Sequence, residues 1–310
     1  MKILLTGGTG FIGQHLLEEL KDDDLSVLVL SRKDKPVFWC TSRKFETVKG
    51  DLADAGSLER IFSGVDAVVH LAAELKEEKL FESTNIKGAE NIISLSARNG
   101  VRKIVHLSSV GVVGMQFSSK RVLVNENFPC SPKNDYERTK LRSEQLFLGS
   151  RERNKTAVHV LRPTNVFGER HPRRALEGFF TRVKKGSNFP SAQAAMVNYV
   201  YVKDVAYAIR YCIMNNDLPP VMNVGPALLF EDFVRAAATR VGSASRVKVL
   251  PSALLKAGEF IGELCSQRLG IAMRSLMNKV EYDDSLLKKY PGYRYGIEKG
   301  IDATASYYGM

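Results

Sequence analysis

Paired cysteines are missing from this sequence: Cys40, Cys130, Cys212 and Cys265 stand alone with no CxxC spacing, which indicates neither a disulfide framework nor a metal site. Long apolar runs are missing too. The opening "MKILLTGG" is too short for a signal-peptide core and leads into glycines without a small-residue cleavage site. The longest amphipathic stretch, Ser252 to Leu276, is broken by Lys256, Glu259, Glu263 and Arg268, so no membrane span is expected. No RNP sequence, zinc-finger spacing or dominant basic tract points to nucleic acid, and there is no repeat or low-complexity tract. With 44% apolar and 25% charged residues over 310 positions, a globular, cytoplasmic protein is expected.

What is present begins with charge. Lys and Arg number 45 against 34 Asp and Glu, a formal net charge of +11, which favours anionic partners such as nucleotides and phosphorylated metabolites. The apolar runs "KILLT", "SVLVL", "DAVVHL", "RKIVHLSS" and "AVHVLRP" are spaced by segments long enough for crossover helices, the pattern of an α/β fold with a parallel sheet covered on both faces. Beyond Gly168 the alternation weakens. The expected division is a dinucleotide-binding domain over 1–168, with 199–215 returning to it, and a substrate-binding lobe over most of 169–310.

"KILLTGGTGFIGQHLLEEL" is a strand, then Gly7, Gly10 and Gly13, then an amphipathic helix. Glycines at this spacing between strand and helix let backbone approach a pyrophosphate, and the helix N-terminus offers amide donors. The second strand should end near the adenosine ribose, where an NAD site carries an acidic residue. Here it runs into Ser31, Arg32 and Lys33, groups that would hold a 2′-phosphate, so NADP is expected in preference to NAD. The competing reading is a solvated basic turn.

Further motifs follow in order: "GDL" at 50–52, "HLAA" at 70–73, "NIKGAENI" from Asn85, "LSSVGVVG" at 107–114, "YERTK", "RPTNVFG" from Arg162 and "YVYVKDVA" from Tyr199. Together they resemble the extended short-chain dehydrogenase/reductase family, which includes nucleotide-sugar epimerases and dehydratases, dihydroflavonol-type reductases and hydroxysteroid dehydrogenases. The resemblance covers most of the chain. It implies a Rossmann-type doubly wound parallel sheet with a smaller C-terminal substrate lobe. It also implies that Gly7, Gly10, Phe11, Ile12 and Gly13 cradle the pyrophosphate, that Asp51 and Leu52 flank the adenine, and that Leu71, Ala72, Ala73 and Pro163 line the dinucleotide. Ser109, Tyr136 and Lys140 match the catalytic set, and a homodimer through the helices around Lys87 and Lys140 would follow.

Tyr136 and Lys140 lie one helical turn apart, on one face. A free tyrosine titrates near about 10, and an ammonium one turn away, with an oxidised nicotinamide, would favour its phenolate. Tyr136 would then relay the proton at the substrate oxygen, Ser109 would hydrogen-bond that oxygen, and Lys140 would also hold the nicotinamide ribose.

On the substrate side, the resemblance places Asn165 near the substrate. The basic run after it includes Arg173 and Arg174, which suit a diphosphate or a solvated helix face equally well. Sugar epimerases usually carry an arginine and a histidine where this chain has Val197 and Tyr201. A nucleotide-linked sugar is the leading substrate class and epimerisation or oxidoreduction the leading chemistry. An NADPH-dependent reductase of a hydrophobic ketone or alcohol is the alternative, and a non-catalytic NADP-binding sensor or assembly subunit the third.

Overall fold

The computed structural model describes all residues except 34–43, 116, 155, 173 and 175. Five short apolar runs become the inner strands of one sheet. They are β1 (Lys2–Thr6), β2 (Ser26–Ser31), β4 (Ala67–His70), β5 (Lys103–Leu107) and β7 (Ala157–Pro163), with β3 (Phe45–Lys49) and β11 (Val221–Val224) at the two edges. All neighbours run parallel, in the order β3-β2-β1-β4-β5-β7-β11. The inner strands read as nearly continuous buried runs because both of their faces are covered, whereas β3 has no buried residue.

Helices α1 (Phe11–Leu20) and α6 (Val202–Met214) cover one face, burying Leu16, Leu17, Ala208 and Ile209 against Leu5 and Val27. Helices α3 (Gly88–Arg98) and α4 (Asp135–Asn154) cover the other, with Ile92, Leu95 and Phe147 on Leu4 and Val68. Lys103 fixes α6 on the sheet: its buried ammonium donates to the carbonyls of Cys212, Ile213 and Asn215 at the helix C-terminus, where the helix dipole favours a cation. Because β1 is flanked by β2 and β4, and the chain winds away in opposite directions from that pair, a crevice opens at the carboxyl ends of β1 and β4.

The smaller lobe is built on a three-stranded sheet, β8 (Asn165–Phe167), β10 (Met196–Tyr201) and β12 (Ala227–Leu229). Its core is aromatic, with Phe167, Phe180, Phe189, Tyr201 and Phe233 buried together beneath α5 (Glu177–Lys184), α7 (Phe230–Val241) and α11 (Gly296–Tyr307). Asp204, on α6, accepts backbone N–H groups from Arg294, Tyr295 and Gly296, and so ties the start of α11 to the large lobe. Two small parallel pairs complete the strands: β9 (Asn188–Ser191) with β13 (Arg246–Val249), and β6 (Val122–Val124) with β14 (Val280–Tyr282).

Two features make the core sensitive to pH and to mutation. His70 and His106 lie side by side on β4 and β5 with stacked rings 5.4 Å apart, and Phe147 packs on both. Burial holds both imidazoles neutral, with His70 pushed down to about 3 and His106 well below its ordinary value. A histidine that charges freely only when unfolded stabilises the fold above about pH 6.5, and that stability is lost as pH falls. Thermal stability should therefore drop below about pH 6.5 by about 1.4 kcal/mol per pH unit for each such histidine, and His106→Phe, which keeps the stack, should flatten the slope. An unchanged slope in that variant would assign the acid sensitivity elsewhere. The second feature is the buried pair of Arg162 on β7 and Glu144 on α4, joined by two hydrogen bonds with side chains 5% and 2% exposed. Glu144→Ala would strand the guanidinium and should destabilise the protein by about 3–5 kcal/mol in chemical denaturation.

Candidate active site

The crevice at the β1/β4 switch point is a cleft of about 940 Å³. Its floor is the turn after β1. Gly7 has φ +72°, and a Cβ there would stand 2.7 Å from the Ala72 nitrogen; one at Gly13 would stand 2.3 Å from the Gly7 oxygen. Only glycine permits either approach. Gly10 is the N-cap of α1 and brings no side chain to satisfy the amides of the first turn, which are left for an anion. These features fit a dinucleotide pyrophosphate.

Most of the residues expected at a cofactor line this one cleft. Gly7, Gly10, Phe11, Ile12 and Gly13 form its floor; Ser31, Arg32, Lys33, Asp51 and Leu52 form one end; Leu71, Ala72 and Ala73 form a wall, and Tyr136 faces them from α4. Lys140 lies below rather than in the lining, 4% exposed, its Nζ donating to the Leu107 carbonyl at 2.6 Å. Burial lowers its pKa to about 8, with Glu144 opposing the shift, so it stays mainly an ammonium at neutral pH. Ser109 caps a short 3₁₀ turn, Val110–Val113, where its Oγ accepts the Gly111 N–H. Pro163 is buried at the end of β7.

Further contributors have no role legible in the sequence, although Asn85 opens one of its motifs. Glu74 lines the cleft and accepts the backbone N–H groups of Leu75, Lys76 and Glu77. The Lys76 N–H above all holds its carboxyl below the usual range, and the charge of Arg32 adds to this, which places a carboxylate in the field of the cation expected to meet a 2′-phosphate. Asn85 is buried and ties this wall to α4: it exchanges hydrogen bonds with the Glu74 backbone and donates to Thr139 Oγ1, one turn from Tyr136. Asn134, which also lines the cleft, accepts the Glu137 N–H at the start of α4. His171 and Pro172 close the cleft from the other lobe, with the Phe11 ring edge-on to both His171 and His15. No sequence pattern marks His171, because the chain reaches Phe11 only through the long-range fold.

Of the expected substrate residues, Asn165 Nδ2 donates to the Asn198 carbonyl between β8 and β10. Arg174 pairs with Glu177 and lies 5.2 Å over the Tyr308 ring, outside the cleft lining. Arg173 lies outside the described residues. Tyr201, in the place of the epimerase histidine, donates its hydroxyl to Glu169, which also pairs with Lys203 at 2.9 Å. Burial, and then the Glu169 carboxylate, push that phenol far above its ordinary value, so it remains a neutral donor. Among the described residues no group of three or more His, Cys, Asp or Glu side chains gathers as a metal site.

Known proteins resemble this chain throughout. A low-salt glycan biosynthesis protein, Agl12, of Haloferax volcanii is 26% identical over a stretch covering 73% of this chain and 77% of that protein. An N-acetyl-α-D-glucosaminyl-diphospho-ditrans,octacis-undecaprenol 4-epimerase of Escherichia coli O157:H7 is 28% identical over 69% of this chain and 63% of its own length. Among solved structures, the UDP-glucose 4-epimerase of Thermotoga maritima with UDP-glucose superposes with a TM-score of 0.73 at 22% identity, covering 100% of this chain and 99% of that one, which shows the shared fold. The UDP-glucuronic acid 4-epimerase of Bacillus cereus in complex with NAD superposes equally, at 0.73 and 19% identity over 100% and 99%. Residues 3–225 match the NAD dependent epimerase/dehydratase family, and with the glycine turn, the cleft and the Tyr136–Lys140 helix in place, the chain belongs to that family.

Proposed function

We propose that this chain is a sugar epimerase that oxidises and re-reduces a carbinol carbon of a diphosphate-linked sugar, with NADP preferred over NAD. The observation that carries the reading is Tyr136, which faces the glycine turn across the dinucleotide cleft while Lys140 is buried behind it. Bound in the cleft, the nicotinamide supplies the hydride acceptor and donor. Tyr136 takes the proton from the sugar hydroxyl as the carbon is oxidised and returns it when the carbonyl is reduced from the opposite face. Lys140, one turn away, stabilises negative charge on the phenol oxygen, and its bond to Leu107 fixes its position. Ser109 holds the same substrate oxygen.

Support for the substrate class comes from relatives named for nucleotide-linked and polyprenol-diphosphate-linked sugars. Support for NADP comes from Arg32 and Lys33, which line the cleft just after β2, a strand that ends on Ser31 rather than on an acidic residue. A homodimer through the helices around Lys87 and Lys140, and a cytoplasmic location, complete the reading. The second reading, a reductase of a hydrophobic carbonyl compound, is favoured by Val197 in the usual arginine position and by Tyr201 being taken up with Glu169.

Tyr136→Phe should lower kcat by about 10²–10⁴-fold, the range of a lost general acid–base, while leaving dinucleotide affinity nearly unchanged. Interconversion of UDP-hexoses followed by chromatography tests this, and retained turnover would remove Tyr136 from the chemistry. Arg32→Ala should weaken NADPH binding on the order of tenfold to a hundredfold and NADH binding little, since a charge-assisted contact to the 2′-phosphate is lost. Fluorescence titration of both cofactors reads the difference, and equal losses would remove Arg32 as the source of the preference.

A further inference from the structure

The smaller lobe ends in a helical hairpin, α8 (Ser252–Cys265) and α9 (Gln267–Ser275), that presents the wrong face to water. Leu255 is the inward anchor, 2% exposed against Ala192 and Met277, and Gly258 abuts Met273 of α9. On the opposite side, Ala253, Leu254, Ala257, Phe260 and Ile261 form one continuous helical stripe, and every one of them is exposed. Leu254 is 59% exposed, Phe260 67% and Ile261 58%, where an ordinary surface helix carries polar residues. Leu269 and Ile271 of α9 and Val249 of β13 add to the apolar surface of this end of the lobe.

The charge around this face is net positive. Residues 246–279 hold six Lys or Arg and two Glu, and Arg246, Lys248 and Lys256 are exposed. Of the two acids, Glu259 is turned to Arg274, 3.7 Å away. Among the described residues no helix is long and apolar enough to cross a membrane, so the hairpin can lie on a bilayer but not span it. A second copy would bring another chain of +11 against this basic surface, whereas an anionic bilayer offers opposite charge and an apolar interior.

We propose that the α8–α9 hairpin docks this protein onto the surface of an anionic phospholipid bilayer, with Phe260, Ile261 and Leu254 entering the acyl boundary and Lys256 and Lys248 meeting headgroup phosphates. The proposal stands apart from the reaction assigned above, since it concerns where the smaller lobe rests. Co-sedimentation with vesicles of equimolar phosphatidylglycerol and phosphatidylcholine should carry down the full-length protein, high salt should weaken it, and pure phosphatidylcholine vesicles should carry much less. The double variant Phe260→Ser, Ile261→Ser should lose at least about tenfold in partitioning while its melting temperature and NADPH binding hold, because both side chains lie outside the core and the cleft. Absence of binding to anionic vesicles, or binding the double variant retains, would overturn the proposal. If the double variant instead lowers the oligomeric state in light scattering with vesicle binding unmoved, the face belongs to a second copy.

Discussion

The bond from the Lys140 ammonium to the Leu107 carbonyl joins the two structures on which the site depends, the end of a buried strand and the helix that carries Tyr136. A cation this deeply buried is costly unless its donors are taken, and a backbone carbonyl at a strand terminus can accept without disturbing the ladder. It fixes the height of α4 over the sheet. Arg162 and Glu144 fix the same helix one turn further on, and Asn85 ties it at Thr139 to the wall of the cleft at Glu74. Tyr136 is therefore held by three polar contacts along the inward side of its helix, and these are contacts that cannot slide as apolar packing can.

The cleft inherits that rigidity through a second chain of bonds. The Thr6 hydroxyl accepts the Ala72 N–H at 3.3 Å and meets His70 Nδ1 at 2.8 Å. With His70 neutral, Thr6 can give its own proton to the ring while it receives from Ala72. The end of β1, the wall at Ala72 and the buried histidine stack are thus one hydrogen-bonded unit, directly beneath the turn where Gly7 approaches Ala72. Protonation of the stack would disturb the cofactor floor as well as the core, which is why a neutral, fully buried imidazole suits this position.

Those parts of the site that rest on local chemistry were legible in the sequence. Gly7 and Gly13 are required by close backbone approaches within one turn, and Tyr136 and Lys140 share a face through the pitch of one helix, so their spacing is visible in the sequence, and the neighbouring motifs single them out from chance matches. Glu74, Asn85 and His171 are of another kind. Their roles depend on which strand lies next to which, and on a loop of the smaller lobe folding back to Phe11, and neither fact has a sequence period. The strand alternation revealed the parallel sheet for the same reason that it concealed β11, a four-residue edge strand whose buried pattern resembles that of any short apolar run.

The smaller lobe shows how one substitution of residue type is absorbed by its surroundings. Tyr201 extends further than a histidine would, and its hydroxyl reaches Glu169, which the fold has already supplied with Lys203. Gly300 makes room for it, since a Cβ there would stand 2.7 Å from the Tyr201 ring. The triad of Tyr201, Glu169 and Lys203 anchors the residues just before His171 and Pro172, so the loop closing the cofactor cleft is fastened to the strand that leads into α6. A histidine at this position would leave Glu169 without its phenol donor. Tyr201 is thereby part of how this chain holds the loop at the mouth of its cleft.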